Sequence, residues 1–199
     1  MDERKRRLRS ELIAARARLA PGEREARSLD IADRVAEVPG FLEARVLAIY
    51  APLGTEVNVT EIARRAMVRG VWLAYPRLVH GERRLAYART EPERLVPGPL
   101  GTLEPPPGAP EVALPDIDCV VVPGVAFSQD GHRLGRGGGH YDATLAQMPR
   151  AVRLGVAFEA QLVAELPREP HDAPLDAVVT EARVLLVPRV RRDPPGRIA

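Results

Sequence analysis

The run Cys119–Val122 (CVVV) constrains this chain more than any other stretch. Consecutive apolar, mostly β-branched residues without polar alternation make a strand covered on both faces. Such a strand sits inside a sheet that carries a layer on each side. The flanking segments extend the theme. Arg45–Tyr50, Val71–Tyr75, Arg84–Ala88, Arg153–Phe158, Ala177–Thr180 and Arg183–Val187 read as further strands. Apolar periodicity predicts helices over Glu3–Leu19, Pro21–Val38, Thr60–Arg69 and Glu159–Leu166, with Thr60 as an N-cap and Gly70 as a stop. Strands alternating with helices predict an α/β fold, a single three-layer domain whose mostly parallel sheet is flanked by helices. The domain is expected over residues 1–187, with a polar, proline-rich tail at 188–199 expected to be disordered. From Pro97 to Pro115 prolines are dense enough to predict an irregular loop.

In sheets of this kind ligands collect at the carboxyl ends of the strands, here the loops after Tyr50, Tyr75 and Val122. The last of these is unusual in composition. Gly131, Gly135, Gly137, Gly138 and Gly139 surround Arg133 and Arg136, and His140-Tyr141-Asp142 opens a short apolar-periodic segment that reads as a helix. Glycines let backbone N–H groups approach an anion, a helix N-terminus adds partial positive charge, and arginines add bidentate donors. The loop therefore points to a nucleotide. It is not a Walker A motif, because no Gly-Lys-Ser/Thr follows, nor a dinucleotide fingerprint, because His140 stands where glycine or alanine is expected. By glycine spacing alone it also fits a plain surface loop.

Charge adds a second pointer. Lys5 is the only lysine among 29 basic residues. A strong base-composition bias accounts for the arginines; the surviving lysine is either chance or a compact ammonium needed on a phosphate. In the first helix Leu8, Leu12 and Leu19 mark the apolar face, and Lys5 and Arg9 fall within a turn of it. That position suits a ligand contact as well as a solvated basic face. Cys119 stands alone, which excludes a disulfide framework and a CxxC metal site. The charged N-terminus has no apolar leader and no stretch is long enough to span a membrane, so a cytoplasmic protein is expected. A net charge of +2 and 4% aromatic residues weigh against a nucleic-acid partner.

Residues 123–142, PGVAFSQDGHRLGRGGGHYD, resemble the signature of the 5-formyltetrahydrofolate cyclo-ligase (5,10-methenyltetrahydrofolate synthetase) family, which reads PG-x-A-F-D-x-x-G-x-R-L-G-x-G-x-G-Y-Y-D. Lys5-x-x-Leu8-Arg9, Tyr50-Ala51-Pro52 with Glu56-Val57, Pro76-Arg77, Glu104-Pro105 and His171-Asp172 are similar to its other landmarks. The resemblance implies ATP-dependent cyclisation of 5-formyltetrahydrofolate to 5,10-methenyltetrahydrofolate with release of ADP and phosphate, through a phosphorylated formyl intermediate. It implies a NagB/RpiA/CoA transferase-like fold, Mg²⁺ as cofactor, ATP and folate as the small-molecule partners, and a monomer without nucleic-acid or membrane partners. Carried onto this chain, it makes Lys5 and Arg133 catalytic. It places ATP against Lys5, Arg9, Arg133, Leu134, Gly135, Arg136, Gly137, Gly138, Gly139, His140 and Tyr141. Folate would meet Ala51, Glu56, Gly138, His140 and Tyr141, and the metal would meet Asp142 and Asp172. The chain departs from the pattern at His140, where the family has tyrosine, and at Ser128, where it has aspartate. His140 also leaves room for a relative acting on a different formylated or acyl substrate.

Overall fold

The computed structural model describes residues 3–169 and 172–188. His171 and the tail from residue 189 onward lie outside the described residues. Helices α1 (Glu3–Ala17), α2 (Pro21–Val35) and α3 (Pro39–Leu42) lead into strand β1 (Val46–Ala48). Helix α4 (Thr60–Val68) precedes the hairpin of β2 (Trp72–Leu78) and β3 (Leu85–Arg89). Short strands β4 (Val96–Pro97), β5 (Leu103–Glu104) and β6 (Glu111–Val112) punctuate the proline-rich stretch. Strand β7 (Cys119–Val122) is followed by β8 (Ala126–Ser128), β9 (Arg133–Leu134) and helix α5 (His140–Leu145). Strands β10 (Val152–Val156), β11 (Leu162–Val163), β12 (Ala177–Val179) and β13 (Val184–Leu186) complete the order.

The main sheet has eight strands in the order β13-β12-β10-β7-β1-β2-β3-β6. Its centre, β12 through β2, is parallel, and the outer pairings β12–β13, β2–β3 and β3–β6 are antiparallel. All of β7 is buried, and its residues alternate between two cores. Cys119 and Val121 join Ile31 and Val35 of α2 and Ile62 and Ala66 of α4. Val120 and Val122 join Leu145, Met148 and Phe127 on the other face. That second face is covered by α5 and by a small three-stranded sheet, β11-β8-β9. Helix α1 lays Leu8 and Leu12 against Ala126, Leu134 and Leu166, a separate small cluster. The expected α/β architecture with a mostly parallel sheet and flanking helices is what the chain forms.

Several local expectations yield to longer-range bonds. The helix expected over Pro21–Val38 ends at Val35, and Val38 is extended ahead of Pro39, which starts its own short helix. Thr60 is the first helical residue, not the cap; the Asn58 Oδ1 accepts its N–H at 3.0 Å. The helix expected over Glu159–Leu166 is a single 3₁₀ turn, Glu159–Gln161, followed by β11. The buried Gln161 decides this. Its Nε2 donates to the carbonyls of Gly124 and Val125, each at 3.0 Å, and its Oε1 accepts the Phe158 N–H at 3.0 Å. Those bonds tie the turn to the start of the glycine-rich segment and exceed what a few residues of helix propensity offer. The proline-rich stretch supplies an edge strand, β6, to the main sheet.

Candidate active site

The loops after β1, β2 and β7 enclose one cavity of about 670 Å³. Every residue named above for ATP, folate or the metal lines it. Lys5 and Arg9 reach it from α1, Ala51 and Glu56 from the loop after β1, and Asp172 from the segment before β12.

The glycine loop does not follow β7 directly. The β8–β9 hairpin intervenes, held by Ser128 and His132 across its turn, with the Ser128 N–H donating to the His132 carbonyl at 2.9 Å. Ser128 is fully buried and its hydroxyl bonds Asp130 within that turn. Gly137 and Gly139 have φ of +109° and +69°, conformations that exclude side chains and let the chain turn sharply into α5. With six residues, α5 is too short to supply the macrodipole expected from the sequence. Positive charge here comes from side chains. Leu134 is buried against Ala126 and Leu166, so only its backbone can face a ligand.

Cations and carboxylates are paired across the cavity. Lys5 Nζ lies 2.8 Å from Glu169 Oε1, with the lysine side chain 10% exposed. Arg9 Nε donates to the Gly135 carbonyl at 2.8 Å, fastening the loop to α1. Arg133, its side chain only 3% exposed, donates Nη2 to Asp142 Oδ1 at 2.9 Å, and its guanidinium carbon stands 5.3 Å from the centre of the Tyr141 ring. Its Nε is buried without a hydrogen-bond partner among the described residues. Arg136 donates Nε and Nη2 to Glu56 Oε1 at 3.1 and 2.9 Å. The other Glu56 oxygen accepts the Leu53 N–H at 3.0 Å.

Asp142 and Asp172 belong to one wall. The Ala173 N–H reaches Asp142 Oδ1 at 3.4 Å, and Asp172 Oδ2 accepts the Glu169 N–H at 2.7 Å. Among the described residues no group of three or more His, Cys, Asp or Glu side chains could hold a metal by itself. The His140 ring packs so close to the loop that a Cβ on Gly138 would meet its Nδ1 at 2.5 Å.

Burial pushes the Tyr141 phenol well above its ordinary value, and the neighbouring Tyr87 and Glu56 push the same way. Burial likewise raises Tyr50, whose hydroxyl donates to the Val57 carbonyl at 3.0 Å. Both remain neutral phenols, and Leu53, Leu78, Leu85 and Leu103 line the same cavity.

Three residues escaped the sequence reading. Glu169, the partner of Lys5, lies in a polar stretch with no local signal. Arg83 lines the cavity from the β2–β3 hairpin, indistinguishable in sequence from its neighbours Glu82 and Arg84. Arg16 is 3% exposed, donates Nε to Thr55 Oγ1 at 3.0 Å, and has its pKa lowered, chiefly by burial, with Glu56 opposing. Its spacing after Arg9 puts it on the same helical face, a periodicity that identifies it.

A family model described as the 5-formyltetrahydrofolate cyclo-ligase family matches residues 1–181. The Escherichia coli (strain K12) 5-formyltetrahydrofolate cyclo-ligase is 31% identical over 175 residues, covering 85% of this chain and 96% of that protein. The protein of that name from Mycolicibacterium smegmatis is 29% identical over 154 residues, covering 74% and 79%. An NMR structure of Aquifex aeolicus 5,10-methenyltetrahydrofolate synthetase superposes with a TM-score of 0.81 at 30% identity, covering 98% of each chain.

Proposed function

The chain belongs to the 5-formyltetrahydrofolate cyclo-ligase family, and from that premise we propose that the cavity between Lys5 and Glu56 is where its reaction runs. That reaction converts 5-formyltetrahydrofolate to 5,10-methenyltetrahydrofolate with ATP as co-substrate. A formamide is a poor electrophile, so its oxygen must become a leaving group. In-line transfer of the γ-phosphoryl group to the formyl oxygen releases ADP and leaves an iminium phosphate. N10 of the folate attacks the activated carbon and gives up its proton, and phosphate departs with the former formyl oxygen. Transfer of this kind depends on positioning and charge neutralisation more than on covalent help from the protein.

Lys5, Arg9 and Arg133 meet the triphosphate together with the backbone N–H groups of residues 134–139. Lys5 and Arg133 follow the charge onto the transferring group. Glu56 accepts N–H bonds from the pterin, and Ala51, Gly138, His140 and Tyr141 line the folate side. Asp142 and Asp172 suit a Mg²⁺ that keeps most of its ligands as water and phosphate oxygens, because that ion takes one or two carboxylates and needs no protein cage. When bound, it neutralises the phosphoryl oxygens. The same reading carries a NagB/RpiA/CoA transferase-like fold and a monomer at work in the cytoplasm. Among the described residues no helix is long and apolar enough to cross a membrane.

One observation carries the assignment of the site: residues from α1, from the loop after β1 and from the glycine loop, far apart in sequence, converge on a single cavity. The test is optical. Mixing the protein with Mg-ATP and 5-formyltetrahydrofolate should generate the near-ultraviolet band of the methenyl product, and Arg133→Ala should abolish it. An unaltered rate in Arg133→Ala would move the reaction elsewhere.

A further inference from the structure

Glu56 is nearly buried, its side chain 9% exposed, and two arginines of different kinds attend it. Arg16 is buried and fixed: Nε donates to Thr55 Oγ1 at 3.0 Å and Nη1 to the Gly124 carbonyl at 3.4 Å. Its charge and that of Glu56 attract each other without a direct hydrogen bond between them among the described residues. Arg136 is half exposed and belongs to the glycine loop. It places both Nε and Nη2 on Oε1, and Nη2 also reaches the Leu53 carbonyl at 3.4 Å. Oε2 is engaged by the Leu53 N–H within its own loop. Oε1, where Arg136 places two donors against the single one on Oε2, is the oxygen at which a ligand N–H meets that arginine.

Resting on the cyclo-ligase reading, we propose that Arg136 is an exchangeable counter-cation: pterin N–H groups that take Glu56 Oε1 release Arg136 to the ATP phosphates. Three physical points support the exchange. Arg136 is half exposed, so it regains water on leaving the pair, which offsets part of the lost attraction. Arg16 stays behind, so Glu56 is not left as an uncompensated buried charge when Arg136 departs. Gly135 and Gly137 flank the arginine with backbone free of Cβ restrictions, Gly137 at positive φ. The consequence is a coupling between two ligands that need not touch. Folate binding frees a cation for the triphosphate, and the triphosphate holds that cation away from Glu56. Reciprocity is required by linkage. Arg136 thus acts on folate binding through Glu56, holding Oε1 until the triphosphate draws it away.

Binding titrations test this with four measurements: 5-formyltetrahydrofolate into wild-type protein and into Arg136→Gln, each with and without a non-hydrolysable Mg-ATP analogue. Wild type should bind folate more tightly when the analogue is present. Arg136→Gln should bind folate alone about two- to fivefold more tightly than wild type, because the competitor for Oε1 is gone. The analogue should bring the variant no further gain. A merely structural role would weaken binding or leave it unchanged. Unchanged or weaker folate binding by the variant without nucleotide overturns the proposal, and so does a coupling that survives in the variant. Wild-type protein that binds no 5-formyltetrahydrofolate at all overturns the cyclo-ligase reading itself, a result distinct from either.

Discussion

Lys5 Nζ and Glu169 Oε1 stand 2.8 Å apart in a cavity whose other cations are all arginines. The lysine side chain is nearly buried, in a slot on the face of α1 that also carries Leu8 and Leu12. A compact ammonium fits there and can turn its donors from the carboxylate to a phosphate; a planar guanidinium brings more bulk and a fixed fork. Lys5→Arg should lower kcat/KM for ATP by about tenfold or more, with the folate KM little changed. Steady-state rates with each substrate varied in turn decide this. Equal kcat/KM values would make the lone lysine an accident of composition.

Gly138 and His140 constrain each other. The φ of Gly138 is not positive, so the restriction is contact alone: its missing Cβ leaves room for the imidazole. Gly138→Ala should reduce turnover about tenfold by displacing His140 or the loop. In a His140→Ala background the same change should cost much less. The double-mutant cycle measures this, and strict additivity of the two effects would sink the explanation.

Chelation of divalent metal should stop turnover, and Mg²⁺ should restore it. Asp172→Asn should raise the Mg²⁺ concentration needed for half-maximal rate by about tenfold or more. The melting temperature should move little, because the acceptor at Asp172 serves only the local Glu169 N–H among the described residues. Asp142→Asn should do more damage, since Asp142 Oδ1 also holds Arg133. Mg²⁺ titrations of the rate, paired with thermal melts, separate the two variants.

Glu61 links α4 internally and towards α2. It accepts hydrogen bonds from Arg64 and Arg65, and Arg65 also pairs with Asp33. These guanidinium bonds hold its carboxyl at about 2, down from 4.5. A depressed folded-state value means the stabilisation is complete above about 4.5 and is lost as pH falls towards 2. Solvent screening keeps it small. Glu61→Gln should lower the melting temperature by about 1–3 °C at pH 7, and the difference should vanish between pH 4.5 and 2. Calorimetry across that range reads it directly.

Gly155, inside β10, faces Leu175 and Phe127, both fully or almost fully buried. A Cβ there would lie 2.6 Å from Leu175 Cδ1 and 2.7 Å from Phe127 Cε1. Neither neighbour has space to retreat. Gly155→Ala should therefore destabilise the fold by about 1–3 kcal/mol, read from denaturant melts.

The sequence by itself determined what depends on short-range pattern. The unbroken apolar run of β7 required cover on both faces, the glycine cluster announced a loop whose backbone N–H groups could approach an anion, and helical periodicity set Lys5 and Arg9 beside the leucine face of α1. Each is a property of residues a few positions apart, which local sterics and periodicity encode. Tertiary structure alone decided which polar side chains meet. Glu169 was paired with Lys5, Glu56 with Arg136, and Arg16 with Thr55 by chain segments that only the folded sheet brings together. It also overruled the helix expected at Glu159–Leu166, because the buried Gln161 amide found the Gly124 and Val125 carbonyls. A hydrogen bond between distant segments leaves no periodic trace in either of them, yet inside the protein it outweighs the small preferences that periodicity reports.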